Sequence, residues 1–240
     1  MRHIFWAGDS TVACNKFATY PQTGIAQAFD RFTASDVVIY NHAVNGRSTK
    51  SFIDESRLAT IYDEITEGDY LFIQFGHNDE KINDPSRYTD PHGEFITNLC
   101  KFVNVARNKK AYPVFITSVE RRLFDENGNL KDSEHTEYVA GMKEAAETFN
   151  VPVVDLFSMS RAFLSKTGDE ASKKFYMNLA PGEASWAPEG KTDNSHLKYE
   201  GALLYSGMIA EGLKKLGAPY STLLAEDDEI KFTEQIEING

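Results

Sequence analysis

The sequence predicts an α/β fold in which a parallel β-sheet lies between two layers of helices. Five short apolar runs alternate with longer amphipathic segments, and the five runs are largely apolar on both faces. Strands of this kind are typical of parallel sheets that helices cover on both sides. The predicted strands are residues 3–7, 37–42, 70–75, 114–117 and 151–155.

Three of the intervening segments are predicted as helices because their apolar residues recur at intervals of three and four. These segments are residues 94–107, 134–149 and 199–216. The last one is followed by Gly217 and Pro219, a combination that stops helices. Strands and helices that alternate along the chain therefore indicate a three-layer architecture.

A single domain over residues 1–240, with its core at about residues 3–216, is the simplest organisation for this chain. A chain of this length can bury about 70–75% of its unfolded surface, and no repeat or Pro/Gly/Ser-rich linker divides it. Residues 120–133 and 166–192 are predicted as long loops, which in a compact domain are more often functional than accidental. The acidic stretch from Ala225 onward has no predicted structure.

The formal net charge of −11, from 36 acidic and 25 basic residues, disfavours nucleic acids and anionic membrane surfaces as partners. Cys14 and Cys100 have no motif spacing and fit a reduced interior better than a disulfide framework. The first apolar run is too short for a secretory signal, and no stretch approaches about 18 apolar residues. We therefore expect a cytoplasmic protein, although a secreted chain trimmed of its signal peptide would look the same. The oligomeric state is left open.

Polar residues cluster in the loops that directly follow the first three predicted strands. Ser10 lies in the first loop, residues 41–48 form the second, and residues 76–79 form the third. In a doubly wound sheet, ligands bind at the carboxyl ends of the strands, where such loops meet. A fourth polar segment, residues 193–196, precedes the last predicted helix.

Ser10, His196 and Asp193 have the chemistry of a nucleophile, a base and an orienting carboxylate. A serine hydroxyl becomes an effective nucleophile when a histidine takes its proton and an acceptor holds the other ring nitrogen. Asp193 and His196 are three residues apart, and residues with this spacing on a helical turn project from one face. The sequence therefore predicts a Ser-His-Asp triad.

Three groups are candidate donors to the oxyanion that forms when an acyl carbonyl is attacked. Two are the backbone N–H groups of Ser10 and of Gly46, whose missing side chain lets the main chain approach a ligand. The third is the side-chain amide of Asn78, a neutral donor that does not compete as a base.

Other interpretations of these polar residues are open. Ser10 could cap a helix or belong to a phosphate loop, although the chain lacks the glycine-rich phosphate-binding motifs. His77 is a second candidate base, and Asp9 and Asp79 are further candidate carboxylates, but we expect all three to hold loops through hydrogen bonds. No metal site and no cofactor are predicted, because the remaining histidines have no second ligand at metal-like spacing: His3, His42, His92 and His135.

Four of these positions, in sequence order, resemble the invariant residues of the SGNH (GDSL-type) hydrolases: Ser10, Gly46, Asn78 and His196. The resemblance spans residues 3–216. Within that superfamily the surrounding blocks are most similar to the rhamnogalacturonan acetylesterases: Gly8-Asp9-Ser10-Thr11-Val12-Ala13, Asn45-Gly46-Arg47-Ser48-Thr49-Lys50-Ser51-Phe52, Gln74-Phe75-Gly76-His77-Asn78-Asp79-Glu80-Lys81 and Asp193-Asn194-Ser195-His196. Asn45 and Ser195 depart from the pattern, which has glycine and threonine there.

The resemblance implies a flavodoxin-like sheet and a serine esterase that removes O-acetyl groups from pectic, rhamnogalacturonan-type oligosaccharides. It also implies an acetyl-enzyme intermediate and no cofactor. Sugars stack on aromatic faces and an acidic pectin attracts cations, so the predicted substrate contacts are Arg47, Lys81 and Trp186, with Phe175 and Tyr176 as further candidates. A GDSL-type lipase or thioesterase, and a carbohydrate-binding protein without catalytic activity, are the alternatives.

Overall fold

A parallel sheet of five strands forms the centre of the structure. The computed structural model describes residues 1–226, and within them the strands are β1 (Arg2–Gly8), β2 (Val37–Asn41), β3 (Tyr70–Gln74), β4 (Tyr112–Ile116) and β5 (Val153–Val154). Their order across the sheet is β2-β1-β3-β4-β5, and each neighbouring pair is parallel. The predicted sheet, with the flavodoxin-like strand order, is confirmed.

Successive side chains of the central strands point to opposite faces of this sheet. In β1, Ile4 and Trp6 are buried in the core on one face, whereas Phe5 and Ala7 are buried in the core on the other. Burial on both faces explains why the strand carries an uninterrupted apolar run.

Helices cover both faces of the sheet, as predicted. They are α1 (Ile25–Ala28), α2 (Thr49–Asp54), α3 (Arg57–Glu64), α4 (Glu94–Asn108), α5 (Thr136–Phe149), α6 (Leu156–Thr167), α7 (Asp169–Ser172) and α8 (Tyr199–Leu216). Helices α1, α6 and α8 pack on the face that holds Trp6, and helices α2 to α5 pack on the face that holds Phe5. Among residues 1–226, no helix combines the length and the apolar character needed to cross a membrane.

The strand predicted at residues 151–155 is shorter in the structure, because both of its ends belong to helices. The Val151 N–H donates to the Ala146 carbonyl (2.9 Å) and so completes the end of α5. The Asp155 carboxylate accepts from the Ser158 N–H (3.1 Å) and so caps the start of α6. Only the two residues of β5 are left to pair with β4.

The segments predicted as loops are largely irregular. Residues 166–192 begin with the end of α6, α7 and one turn of 3-10 helix, Lys173–Phe175, and are irregular from residue 176 onward. Helix α8 has its predicted limits and ends at Gly217, whose φ of +74° is the left-handed conformation that favours glycine. The acidic stretch that begins at Ala225 lies, from residue 227, outside the described residues.

The strand order reverses direction between β1 and β3, which are neighbours in the sheet. A reversal of this kind opens a crevice at the carboxyl edge, where α/β proteins bind their ligands. The chain leaves β1 toward Ser10 and leaves β3 toward Asn78. The fold therefore brings two of the predicted site residues to the same crevice.

Candidate active site

Ser10 lies in a tight turn directly after β1. The Asp9 carbonyl accepts hydrogen bonds from the N–H groups of Val12 (3.1 Å) and Ala13 (3.0 Å). The buried Asp9 carboxylate accepts from the N–H (2.9 Å) and the hydroxyl (2.8 Å) of Thr11. These bonds close the turn on both sides of Ser10 and give Asp9 the loop-holding position expected of it.

The Ser10 side chain is joined to His196, and His196 is joined to Asp193. His196 Nε2 lies 2.9 Å from Ser10 Oγ, and His196 Nδ1 lies 2.8 Å from Asp193 Oδ2. Both distances are those of hydrogen bonds. When Nδ1 donates to the carboxylate, Nε2 is left to accept the serine proton. The three predicted residues therefore form one continuous hydrogen-bonded chain.

Asp193 and His196 do not lie on a helical turn, so the prediction drawn from their spacing was wrong on this point. They lie in a bend that precedes α8. Asp193 Oδ1 accepts from the backbone N–H groups of Ser195 and His196, both at 3.0 Å. A bend closed by an aspartate side chain thus replaces the helical turn and brings the ring to the same carboxylate.

Hydrogen bonds from two other loops fix the segment that carries His196. The Thr23 N–H donates to the Leu197 carbonyl (2.9 Å). The Arg122 N–H donates to the Asn194 carbonyl (2.9 Å), and the buried Arg122 guanidinium donates to Asn194 Oδ1 (2.7 Å). The base is therefore held in place without belonging to a helix or strand.

The Asp193 carboxylate accepts from a fourth donor, because Lys191 Nζ lies 2.9 Å from the same Oδ2 that contacts the His196 ring. Burial disfavours the charged carboxylate and acts to raise its pKa. The hydrogen bonds from His196 and Lys191 outweigh burial, and they place the pKa of Asp193 well below its usual range. Asp193 is therefore ionised at neutral pH and able to balance a positive charge on the ring.

Two backbone N–H groups at the site, those of Ser10 and Gly46, have no acceptor within residues 1–226. Gly46 has a φ of +78°, which a side chain would disfavour. The Val44 N–H donates to the Gly8 carbonyl (3.1 Å), so the Gly46 loop is tied to the end of β1. Unpaired N–H groups at a site are available to an oxygen of a ligand.

Asn78 contacts the Gly46 loop through its side-chain amide. Its Nδ2 donates to the Arg47 carbonyl (3.1 Å), and its Oδ1 accepts from Arg87 Nη1 (3.2 Å). These contacts set the orientation of the amide and leave one N–H of Nδ2 without an acceptor in the described part of the chain. The three predicted oxyanion donors therefore lie on loops that are bonded to one another.

The residues predicted as substrate contacts differ in their exposure and in the hydrogen bonds that they already make within the protein. Arg47 Nε donates to Glu55 (2.9 Å), which gives the guanidinium a structural partner. Lys81 lines a surface cavity of about 490 Å³, which is also lined by Arg87, the residue that donates to Asn78. Trp186 is exposed, and its indole N–H donates to the Tyr20 carbonyl (2.8 Å). The contact of Arg47, Lys81 and Trp186 with substrate stays a prediction.

Phe175 and Tyr176 are buried, so the expectation that they contact substrate was wrong. The Tyr176 hydroxyl lies 2.8 Å from the Tyr205 hydroxyl and donates to the Glu120 carbonyl (2.8 Å). Both aromatic residues pack in the core beneath α8. Both residues belong to the predicted loop 166–192, but their side chains are part of the hydrophobic core.

His77 and Asp79, the other candidate base and carboxylate, are engaged away from Ser10. His77 Nε2 donates to the Val119 carbonyl (3.0 Å), and burial together with nearby positive charges lowers the pKa of His77 well below its usual value. Asp79 Oδ1 accepts from the Thr49 N–H (3.0 Å). Burial raises the pKa of Asp79 to about 7, against the hydrogen bonds that favour its charge.

Histidines outside the site pair with carboxylates. His3 Nδ1 lies 2.9 Å from Asp69, and His135 Nδ1 lies 2.6 Å from Glu80. In the described part of the chain, no three His, Cys, Asp or Glu side chains are grouped in a way that would hold a metal ion.

Two residues of the site were missed by sequence reasoning. Lys191 lies two positions before Asp193, and residues two apart in an extended chain project to the same side, so its spacing offered a signal. Arg87, which donates to Asn78, lies in an irregular segment and offered no such spacing.

Comparisons with known proteins find similar sequences over most of this chain. Residues 7–202 match the model of the GDSL-like lipase/acylhydrolase family. The chain is 43% identical over 218 residues to a rhamnogalacturonan acetylesterase of Bacillus subtilis (strain 168). This alignment covers 90% of this chain and 91% of the relative. It is 34% identical to a probable rhamnogalacturonan acetylesterase of the same organism, over 94% of this chain and 98% of that one.

Solved structures share the fold at lower identity. A Bacillus subtilis protein superposes with a TM-score of 0.74 at 23% identity, over 91% of this chain and 57% of its own. An acetylxylan esterase from Geobacillus stearothermophilus superposes with a TM-score of 0.59 at 15% identity, over 91% and 95% of the two chains. With a family match over most of its length and curated relatives that align over at least 90% of both chains, this chain belongs to the GDSL-like lipase/acylhydrolase family.

Proposed function

We propose that this protein is a serine esterase that removes acetyl groups from carbohydrates, and that its substrates are acetylated pectic oligosaccharides of the rhamnogalacturonan type. The observation that carries the proposal is the hydrogen-bonded chain from Ser10 through His196 to Asp193, beside N–H groups that have no acceptor among the described residues 1–226. Identity of 43% with a rhamnogalacturonan acetylesterase supports the acetyl and pectic parts.

In the proposed reaction, Ser10 Oγ attacks the acetyl carbonyl carbon while His196 Nε2 takes the hydroxyl proton. The carbonyl π electrons move to oxygen, and a tetrahedral intermediate forms. Its collapse breaks the bond to the sugar oxygen, which receives the proton from His196 and leaves as a free hydroxyl. A water molecule then attacks the acetyl-enzyme by the same route and releases acetate.

The charged groups of the site suit these steps. Asp193 stays ionised because four donors hold it, so it offsets the positive charge that His196 carries in each tetrahedral intermediate. The N–H groups of Ser10 and Gly46, with the free amide N–H of Asn78, are the proposed donors to the oxyanion. None of these steps requires a cofactor.

Acetate release from a panel of substrates tests the proposal. The panel contains acetylated rhamnogalacturonan oligosaccharides, acetylated xylan and chitin fragments, and 4-nitrophenyl esters of acetate, butyrate and octanoate. We expect rhamnogalacturonan fragments to be the best saccharides, and acetate the best of the 4-nitrophenyl esters. A preference for octanoate would replace the proposal with a lipase, and equal rates on xylan would remove its pectic part.

Substitution of the nucleophile and the base tests the mechanism. Ser10→Ala and His196→Ala should each remove nearly all activity, and the double variant should be scarcely worse, because residues that act as a unit are strongly non-additive. Ser158→Ala, in α6, is the matched control for the serine change and should keep full turnover. Retention of more than about a tenth of kcat by Ser10→Ala would contradict the mechanism.

A further inference from the structure

Three exposed aromatic side chains lie on the loops that flank the His196 segment. Phe17 is 92% exposed, Tyr20 is 63% exposed and Trp186 is 39% exposed. Large aromatic side chains contribute most to stability when they are buried, and a group of them at the surface is typical of a binding site. We refer to Phe17, Tyr20 and Trp186 as the aromatic platform.

The platform is built from two loops that are bonded to each other. The Phe17 and Tyr20 rings have centroids 6.3 Å apart and planes that differ by 20°, so the two rings are nearly parallel. The Trp186 indole N–H donates to the Tyr20 carbonyl (2.8 Å), which joins the loop after Ser10 to the loop before Asp193. This hydrogen bond uses the indole N–H and holds the loop of Trp186 against the loop of Phe17 and Tyr20.

The platform is anchored to the candidate triad at both ends. Three residues after Tyr20, the Thr23 N–H donates to the carbonyl of Leu197, the residue that follows His196. On the other loop, Lys191 Nζ lies 5.6 Å from the centre of the Trp186 ring and 2.9 Å from Asp193 Oδ2. The loops that carry the aromatic rings are therefore bonded to the segment that carries His196 and Asp193.

We infer that the aromatic platform binds the saccharide chain of the substrate, at the sugar units next to the acetylated one. This inference rests on the proposed function and extends it from the acetyl group to the sugars around it. A pyranose ring has a flat face of C–H groups and a rim of hydroxyls, so it packs on an aromatic face while its rim stays in water. The exposed rings, on loops bonded to the segment of the candidate triad, offer such faces to the neighbouring sugar units.

A saccharide fits this surface better than the other possible occupants of an apolar patch. The rings belong to loops bonded to the candidate active site, so a ligand on them is continuous with the ester at Ser10. The net charge of −11 opposes an anionic membrane surface. A second copy of the chain is the remaining occupant, and it would be detected as a dimer that depends on these rings.

Binding is measured first, without the ester chemistry. The chain has two tryptophans, of which Trp6 is fully buried, so Trp186 is the one whose fluorescence a ligand at the surface can change. Acetate-free rhamnogalacturonan oligosaccharides, prepared by saponification, are titrated into the full chain. We expect a saturable change in emission that disappears in Trp186→Phe.

The double variant Phe17→Ala/Tyr20→Ala tests the two outer rings. Both side chains are exposed, and the Tyr20 carbonyl that holds Trp186 remains, so the fold and the fluorescent reporter should be retained. We expect Kd for the acetate-free oligosaccharides to rise about tenfold, the scale of one or two aromatic contacts. The ratio of kcat/KM on acetylated oligosaccharide to kcat/KM on 4-nitrophenyl acetate should fall by a similar factor.

Tyr62→Ala is the matched control. Tyr62 is also an exposed tyrosine, 42% accessible, but it lies at the amino edge of the sheet beside Lys109. Its loss should change neither Kd nor the ratio. Thermal unfolding of each variant verifies that the fold is intact.

Each outcome decides the inference. An unchanged Kd in the double variant, no saturable binding by the natural chain, or a dimer that the double variant abolishes would overturn it. Binding that depends on the platform, without acetate release from any saccharide, would leave the platform in place and refute the proposed esterase instead.

Discussion

The hydrogen bonds of the Asn78 side chain restrict what its amide can contribute to the site. One N–H of its amide is used on the Arg47 carbonyl, and its oxygen is used by Arg87, so a single N–H is left for an oxyanion. A donor fixed in this way costs no reorganisation when charge develops on the ligand. The backbone carbonyl of Arg47 and the guanidinium of Arg87 therefore set the orientation of this amide.

Replacement of Asn78 tests this assignment. Asn78→Ala should lower kcat by about 10²–10³ with little change in KM, because the hydrogen bond strengthens only as the oxyanion forms. Steady-state kinetics with 4-nitrophenyl acetate give the two constants. Asn104→Ala, the same change on the exposed face of α4, should alter neither. A change confined to KM would assign Asn78 to substrate binding.

Among the residues of the candidate site, the sequence predicted those that a short spacing or the resemblance to a known family connects. The link between Asp193 and His196 followed from their separation of three, although a bend rather than a helix produces it. Arg87 was missed because its contact with Asn78 is set by the path of an irregular loop, which the sequence does not encode locally. Lys191 was missed although its spacing of two from Asp193 offered a signal.

Helix α8 depends on a close approach between its first turn and the segment that precedes the site. A Cβ atom on Gly201 would lie 2.0 Å from the Phe175 carbonyl oxygen, which is backbone and has little room to move. The Phe175 carbonyl also accepts from the Lys198 N–H (3.1 Å), two residues after His196. Glycine at position 201 therefore sets the distance between α8 and the site.

A pair of glycine substitutions in α8 tests this dependence. Gly201→Ala should lower the free energy of unfolding by more than about 2 kcal/mol, because the helix must move away from Phe175. Gly207→Ala is the control: its Cβ would meet the Phe32 ring at 3.3 Å, and alanine favours a helix by about 1 kcal/mol over glycine. Urea unfolding measures both, and equal losses would contradict the argument.

Among the helices, the three longest were predicted, whereas the others, including the 12-residue α6, were not. Helices α4, α5 and α8 have 14 to 18 residues, enough for their apolar periodicity to stand out. Helices α2 and α3 have six and eight residues, so their apolar side chains recur too few times to define a period. Helix α2 begins at the Ser48 cap, and both helices bury apolar side chains in the core beside the sheet.

For the whole molecule, the carboxyl edge of the sheet combines the candidate site with buried ionisable groups. Ser10 and Asn78 follow adjacent strands there, and Asp9 and Asp79 follow the same two strands as buried carboxylates. The alternation of apolar strands and helices predicted this edge, because parallel strands all end on it. The packing that buries the two carboxylates was beyond a sequence argument, since it depends on how the loops close over them.

Buried carboxylates make the stability of the fold depend on pH. Asp79 accepts hydrogen bonds from the Thr49 N–H (3.0 Å) and the Thr89 hydroxyl (3.0 Å), yet burial raises its pKa to about 7. In the unfolded chain the pKa of an aspartate is about 3.9. A raised pKa in the folded state means that the stability from protonated Asp79 is full below about pH 4 and is lost as pH rises to about 7. His77 has the opposite effect, because burial lowers its pKa in the folded state. The folded protein therefore loses stability as pH falls below the pKa that this histidine has in the unfolded chain.

Comparison with Asp79→Asn isolates the contribution of Asp79, because asparagine keeps the shape without titrating and the other buried groups stay in both proteins. We expect the stability of the natural chain relative to Asp79→Asn to decrease as pH rises from about 4 to about 7, by at most about 4 kcal/mol, and to be constant above about pH 8. Urea unfolding at a series of pH values measures the difference. A difference that does not vary with pH would mean that Asp79 has the same protonation in the folded and unfolded chains, and a difference that grows with pH would mean that the hydrogen bonds from Thr49 and Thr89 outweigh burial.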